Sequence, residues 1–206
     1  MNSRVEESLA PVVARWAGQD KEMLWSLFPQ IVTGQSVREA DLAARLHRNA
    51  EDLGIALRAS LAEVDSIGRI TELFGITQQP TLHRIEIGKN TLFSCCALVA
   101  HAVPAIFGKS AAIVSTDTVN GGETKIRISD KMELQDVEPQ TSVGILVDCE
   151  PGELLTNPRK NFCCHVKHFT GANSAAEFCG EDSRRYPVPI EEFHVAAQQL
   201  FSRIWG

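Results

Sequence analysis

Apolar residues recur at three- and four-residue spacing through the first third of the chain: Leu9, Val12, Val13 and Trp16, then Met23, Leu24, Leu27, Phe28 and Ile31. That period predicts a helical amino-terminal region over residues 6–62. Residues 33–35 interrupt it, and Ser36 with Glu39 three positions on reads as a capping box opening a helix to Leu46. A further helix is expected over 50–61, and residues 64–70 read as strand, tight turn, strand, so the region has the form of a helix-turn-helix with a small wing. Past Gly75 the period shortens to two. Strands are expected over 82–87, 91–94, 111–116, 123–129 and 143–148, with Thr124, Ile126 and Ile128 alternating against Lys125, Arg127 and Ser129. Pro139 and residues 151–158 read as loops, and residues 188–205 as a closing amphipathic helix with Phe193, Ala197, Leu200, Phe201 and Ile204 on its stripe. The expected fold class is α+β: a winged-helix-like region, residues 1–78, followed by an α+β core, residues 79–206, on an antiparallel or mixed sheet.

Composition narrows the function. The 206 residues are 44% hydrophobic and 22% charged, an ordinary globular balance. A formal charge of −6 offers no long-range attraction to phosphates, and the charges between Ser36 and Ser60 sum to zero, so the winged shape is not expected to read nucleic acid. No apolar run approaches the roughly 20 residues that span a bilayer, and the first eight residues lack the apolar core of a secretory signal. A cytoplasmic, membrane-free protein is expected. In a reducing compartment six cysteines point to metal binding or thiol chemistry rather than disulfides.

Four of the six come as doublets. Cys95-Cys96 follows Ser94, a good N-cap, so Cys96 is expected near a helix amino terminus, where the partial positive charge favours thiolate. The second doublet lies in a segment, residues 162–169, that alternates like a strand and would set Cys163, His165 and Lys167 on one face. One cysteine from each doublet can then aim at a common site, with His165 as proton carrier or hydrogen-bond partner. A zinc ribbon is disfavoured by the spacing. Cys149 and Cys179 read as buried small apolar residues, and histidines 47, 83, 101 and 194 are scattered without assigned chemistry.

The segments Leu92-Phe93-Ser94-Cys95-Cys96-Ala97-Leu98, with Pro104 following, and Asn161-Phe162-Cys163-Cys164-His165-Val166, with Phe169 following, resemble the organomercurial (alkylmercury) lyase family. The resemblance implies protonolysis of a carbon–mercury bond, with Cys96 and Cys163 as the catalytic, mercury-binding pair and mercury(II) passed to a mercuric reductase. No cofactor is called for, since mercury is substrate and product. The family pattern has an aspartate three residues after the first cysteine, where this chain has Val99; it also has tryptophan at the place of Cys95 and a further cysteine near Thr118. With Val99 in place of the acid, weakened activity is expected, with Cys163, His165 or Asp117 as alternative proton sources. Two other readings follow from the same residues. One is a noncatalytic site for mercury(II) or copper(I) using Cys95, Cys96 and Cys163; the other is a relative repurposed for a metabolite without mercury.

Overall fold

The computed structural model describes residues 2–17, 19–35 and 37–205. Helices α1 (Ser3–Trp16) and α2 (Lys21–Thr33) bury the predicted apolar stripes, and Gly34, left-handed at φ 77°, ends α2. Strand β1 (Val37–Arg38) leads into α3 (Glu39–Arg45), and α4 (Ala50–Ala59) follows, capped by Asn49. The predicted cap residue Ser36 lies outside the described residues, and Arg38 stands at the N-cap of α3 without a side-chain bond. Strands β2 (Glu63–Val64) and β3 (Arg69–Leu73) form the expected hairpin.

The main sheet continues through β4 (Ile76–Thr77), β5 (His83–Ile87), β6 (Asn90–Ser94), β7 (Ala111–Thr116), β8 (Glu123–Ile128) and β9 (Leu134–Glu138) in the order β1-β3-β4-β6-β5-β7-β8-β9, with β2 beside β3. Strands on either side of residue 78 therefore share one sheet, and every pairing is antiparallel. Helix α5 (Ala97–Phe107) packs on it. A second antiparallel sheet, β11-β10-β12, is built from β10 (Val143–Val147), β11 (His168–Phe169) and β12 (Arg185–Pro189). Helices α6 (Pro151–Thr156), α7 (Ala172–Cys179) and α8 (Ile190–Trp205) complete the chain.

Three expectations need correction. Residues 151–156 are a helix, because Pro151 occupies the first helical position and Glu150 with Glu153 closes a capping box. The closing helix starts at Ile190, since Val188 and Pro189 pair with β10. Residues 162–167 are not a strand: Arg159–Cys163 is a π-helical turn and only His168–Phe169 are extended. Alternation over a few residues carries no information on whether a pairing partner exists.

One apolar core runs from α1 to α8 and holds both cysteine segments. Inside it, four histidines far apart in sequence converge. His83 Nδ1 lies 2.8 Å from Ser115 Oγ, Ser115 Oγ 2.9 Å from His168 Nδ1, His168 Nε2 3.1 Å from His101 Nε2, and His101 Nδ1 3.0 Å from His194 Nδ1.

Candidate functional site

The site begins at a hairpin turn. Phe74 and Gly75 link β3 to β4, and both have positive φ, 52° and 77°, as a two-residue type I′ turn demands. For Phe74 this conformation costs about 1–2 kcal/mol. The Gly75 carbonyl accepts the Cys95 amide at 2.8 Å. A Cβ on Gly75 would stand 2.4 Å from Cys95 Sγ, so glycine is required there by both φ and space.

Beyond Cys95 the chain turns into α5, whose N-cap is Cys96 itself (φ −149°, ψ 161°) rather than the predicted Ser94. Ser94 ends β6 and donates its hydroxyl to the Cys96 carbonyl at 2.9 Å. The first helical amide, Ala97, donates to Val166 at 3.0 Å and thereby ties the Cys96 helix to the second doublet's segment.

The π-helical turn points Cys163 inward and leaves Cys164 exposed, its thiol donating to Lys160. Arg159, the first residue of that turn, ion-pairs with Glu72 at 2.6 Å and Glu63 at 3.3 Å and donates to the Leu61 carbonyl. These bonds fasten the turn to the β2–β3 hairpin.

As a result the sulfurs of Cys95, Cys96 and Cys163 all lie within 4.8 Å of one another. Three sulfurs about 2.3 Å from a central ion would be ~4 Å apart, so a soft ion fits among them. Cys96 is the most acidic of the three thiols. Hydrogen bonds from Cys163 and Cys95 hold it well below the usual thiol range, helped by the amides of Val99 and Leu98 at the helix start. Cys163 is pushed up by its bonds to Cys95 and Cys96 and by burial. Cys95 is pulled down by Cys163 but rises on balance under Cys96 and burial. Of the three, Cys96 is the first to lose its proton.

Against Cys96, Cys163 and Val99 lies a small apolar cavity with about 20 Å³ of free space, walled by Trp16, Leu61, Phe74, Phe162, Leu200 and Phe201. The Trp16 ring meets Phe74 at 5.6 Å and Phe162 at 6.5 Å, both edge-on. A roomier cleft between the end of α2 and β3 is lined by Gln35, Gln78 and Arg69 and holds no thiol.

The predicted residues divide clearly. Cys95, Cys96 and Cys163 are brought together, whereas His165 is not aligned with Cys163 on a strand; its charged neighbours are Arg185, Arg184, Asp182 and Lys167. Asp117 is buried among other donors. It accepts from the Thr170 amide and hydroxyl, from Ser174 and from the Val119 amide, and these bonds outweigh burial to keep it ionised. It is an anchor for the β7–β8 turn and not a stored acid. Cys149 donates to the Asn161 carbonyl and burial pushes its thiol up to about 11, while Cys179 packs at the edge of the Ile145 and Phe169 cluster. Gly75, Glu72 and Arg159 were not legible from spacing, because each reaches the site from a separate segment.

The alkylmercury lyase family model matches residues 76–202, which include all three sulfurs and Val99. The chain belongs to the alkylmercury lyase family. Its relatives include the alkylmercury lyases of Staphylococcus epidermidis, 26% identical over 90% of this chain and 86% of that one, and of Pseudomonas putida, 30% identical over 85% and 82%. That of Streptomyces lividans is 27% identical over 89% and 84%. A crystal structure described as the mercury-bound form of MerB2 superposes with a TM-score of 0.78, covering 98% of this chain and all of that one at 17% identity, so it shares the fold. Within this family frame, Val99 occupies the third helical position of α5 and borders the same cavity as Cys96 without a titratable group. Among the described residues no helix is long and apolar enough to cross a membrane.

Proposed function

We propose that this protein captures an organomercurial on Cys96 and splits its carbon–mercury bond with a proton drawn from the sulfur cluster. The observation that carries this reading is the arrangement of three close sulfurs against an apolar cavity, with Cys96 at the start of α5 as the thiol held lowest. The Cys96 thiolate forms a sulfur–mercury bond and expels the exchangeable ligand. The carbon then leaves with the bonding pair and takes the proton of a neighbouring thiol, and the sulfur so freed closes on mercury. One thiolate, one thiol and R–Hg⁺ become R–H and a neutral dithiolate of mercury(II), so atoms and charge balance without a carboxylic acid.

Cys96 and Cys163 are the pair in this reading, and Cys95 is the third sulfur. The winged-helix-like region serves as a wall of the pocket, since Trp16, Leu61 and Phe74 come from it. The chemistry requires reduced thiols and thus a reducing setting such as the cytoplasm, with a soluble thiol or a mercuric reductase accepting the metal. A second reading, a noncatalytic site for mercury(II) or copper(I), is favoured by one observation: Val99 brings no acid to the cavity.

Reduced protein incubated with phenylmercury, with benzene release and mercury retention followed together, decides between them. Benzene over many turnovers in excess thiol establishes the lyase; intact phenylmercury held without benzene establishes the binder.

A further inference from the structure

Four of the six histidines form the chain of bonds described above, which continues to Met132, whose carbonyl lies 2.9 Å from His194 Nε2. His83, His101 and His168 are at most 1% exposed and His194 is 4% exposed. A carbonyl can only accept, so His194 Nε2 carries the proton and its Nδ1 accepts. His101 then donates from Nδ1 and accepts at Nε2. His168 donates from Nε2 and accepts at Nδ1, Ser115 donates to that nitrogen, and His83 donates to Ser115 from Nδ1. Each ring uses one proton, and the whole chain runs in one direction. Because it ends on a carbonyl, which passes no proton onward, it is not a conduit.

Its position matters more. His101 is on α5, which Cys96 caps, and His168 opens β11, which follows the Cys163 turn. The His101–His168 bond and the Ala97–Val166 bond are two ties between these segments. Phe193 of α8 packs edge-on against both rings, each at 5.2 Å.

We propose that this chain of neutral imidazoles is a positioning brace for the sulfur site, and that a proton added to any ring sets donor against donor and releases the Cys96 helix from the Cys163 segment. The proposal rests on the sulfur cluster being the working site. Burial drives all four rings toward the neutral form, His83 to about 3. The groups acting on them are each other, Lys167 on His83, and the Met132 carbonyl on His194; among the described residues no carboxylate offers a counter-charge. The folded rings resist protonation that the unfolded chain accepts near its ordinary value, so the brace is intact above about pH 6.5 and weakens as pH falls below it.

Nitrogen-15 spectra of the imidazoles at pH 7 test the bonding order: protons are expected on Nδ1 of His83 and His101 and on Nε2 of His168 and His194. An imidazolium among the four, or another pattern, overturns it. Unfolding near pH 5.5 should take up about four protons, equivalent to an unfolding constant rising about 10⁴-fold for each unit by which the pH falls; uptake of about one overturns the brace. His194→Gln, which leaves an amide able to donate to Met132, should lower the uptake to about three. Capture of phenylarsine oxide, which needs two close sulfurs, reads the positioning claim without mercury chemistry. One equivalent per chain is expected at pH 7, falling below pH 6 relative to a small dithiol. Full capture until the fold is lost overturns the positioning role and leaves a structural brace. Failure to capture at pH 7, with the ring pattern intact, overturns the sulfur-site reading and the positioning claim with it.

Discussion

Replacing Val99 with aspartate would test whether an acid at this place limits the chemistry. Val99 is 8% exposed and faces the cavity beside Cys96. Losing its burial costs about 1.5 kcal/mol, and placing a carboxyl among Trp16, Phe74 and Phe201 adds about 1–3 kcal/mol for an unpaired polar group. A net loss of about 2.5–4.5 kcal/mol is expected, within what a domain of ordinary stability, about 5–15 kcal/mol, survives. Burial and the Cys96 thiolate both disfavour a second negative charge, so the new carboxyl stays protonated at neutral pH, as a proton donor must. A general acid is worth about 10²–10⁴-fold, and benzene release in a single turnover, with protein in excess over phenylmercury, should accelerate by that order. Val99→Asn is the control: similar shape and polarity, similar loss of stability in urea, and no proton to give. If the aspartate and asparagine variants release benzene at the same rate, the proton is not what Val99 withholds and the reasoning fails.

Other outcomes follow from the same geometry. Cys96→Ser should abolish phenylmercury capture, because the remaining thiols lose the thiolate that initiates attack; retained turnover would remove Cys96 from the mechanism. Gly75→Ala forces a Cβ to 2.4 Å from Cys95 Sγ at a left-handed position and should cost about 1–3 kcal/mol. It should also shift the mercury(II)–thiolate absorption from three sulfurs to two, and an unchanged spectrum would refute the cradle. Gly144→Ala drives a Cβ to 2.2 Å from the Phe193 ring, which packs on His101 and His168, so a loss of about 2–3 kcal/mol in urea is expected. An unchanged midpoint would mean that the ring can move. Arg159→Ala leaves the Glu72 carboxyl buried without its ion-pair partner and loosens the Cys163 turn, for about 3 kcal/mol. Arg159→Lys should recover part of that in thermal melts, and equal melting of all three proteins would show that the pair carries no weight.

Periodicity determined the helices that line the site and the strands that carry it, because apolar spacing records which face each element must bury. The cysteine doublets marked both halves of the site, and the sequence around them carries the family resemblance. The π-helical turn was not legible, because residues 162–169 alternate as a strand would and only the absence of a neighbouring strand decides the matter. For the same reason His165 could be aligned with Cys163 in sequence and not in space. Tertiary structure alone decided that Cys95 joins Cys96 rather than turning away. Cys96 stands at the N-cap with extended backbone rather than inside the helix, and the Phe74-Gly75 turn holds Cys95 from behind, so both sulfurs face Cys163. It also decided the fate of the histidines: four rings from α5, α8, β5 and β11 meet only when two sheets and two helices close on one another, and no local pattern encodes a bonded chain whose ends, His83 and His194, stand 111 residues apart in sequence.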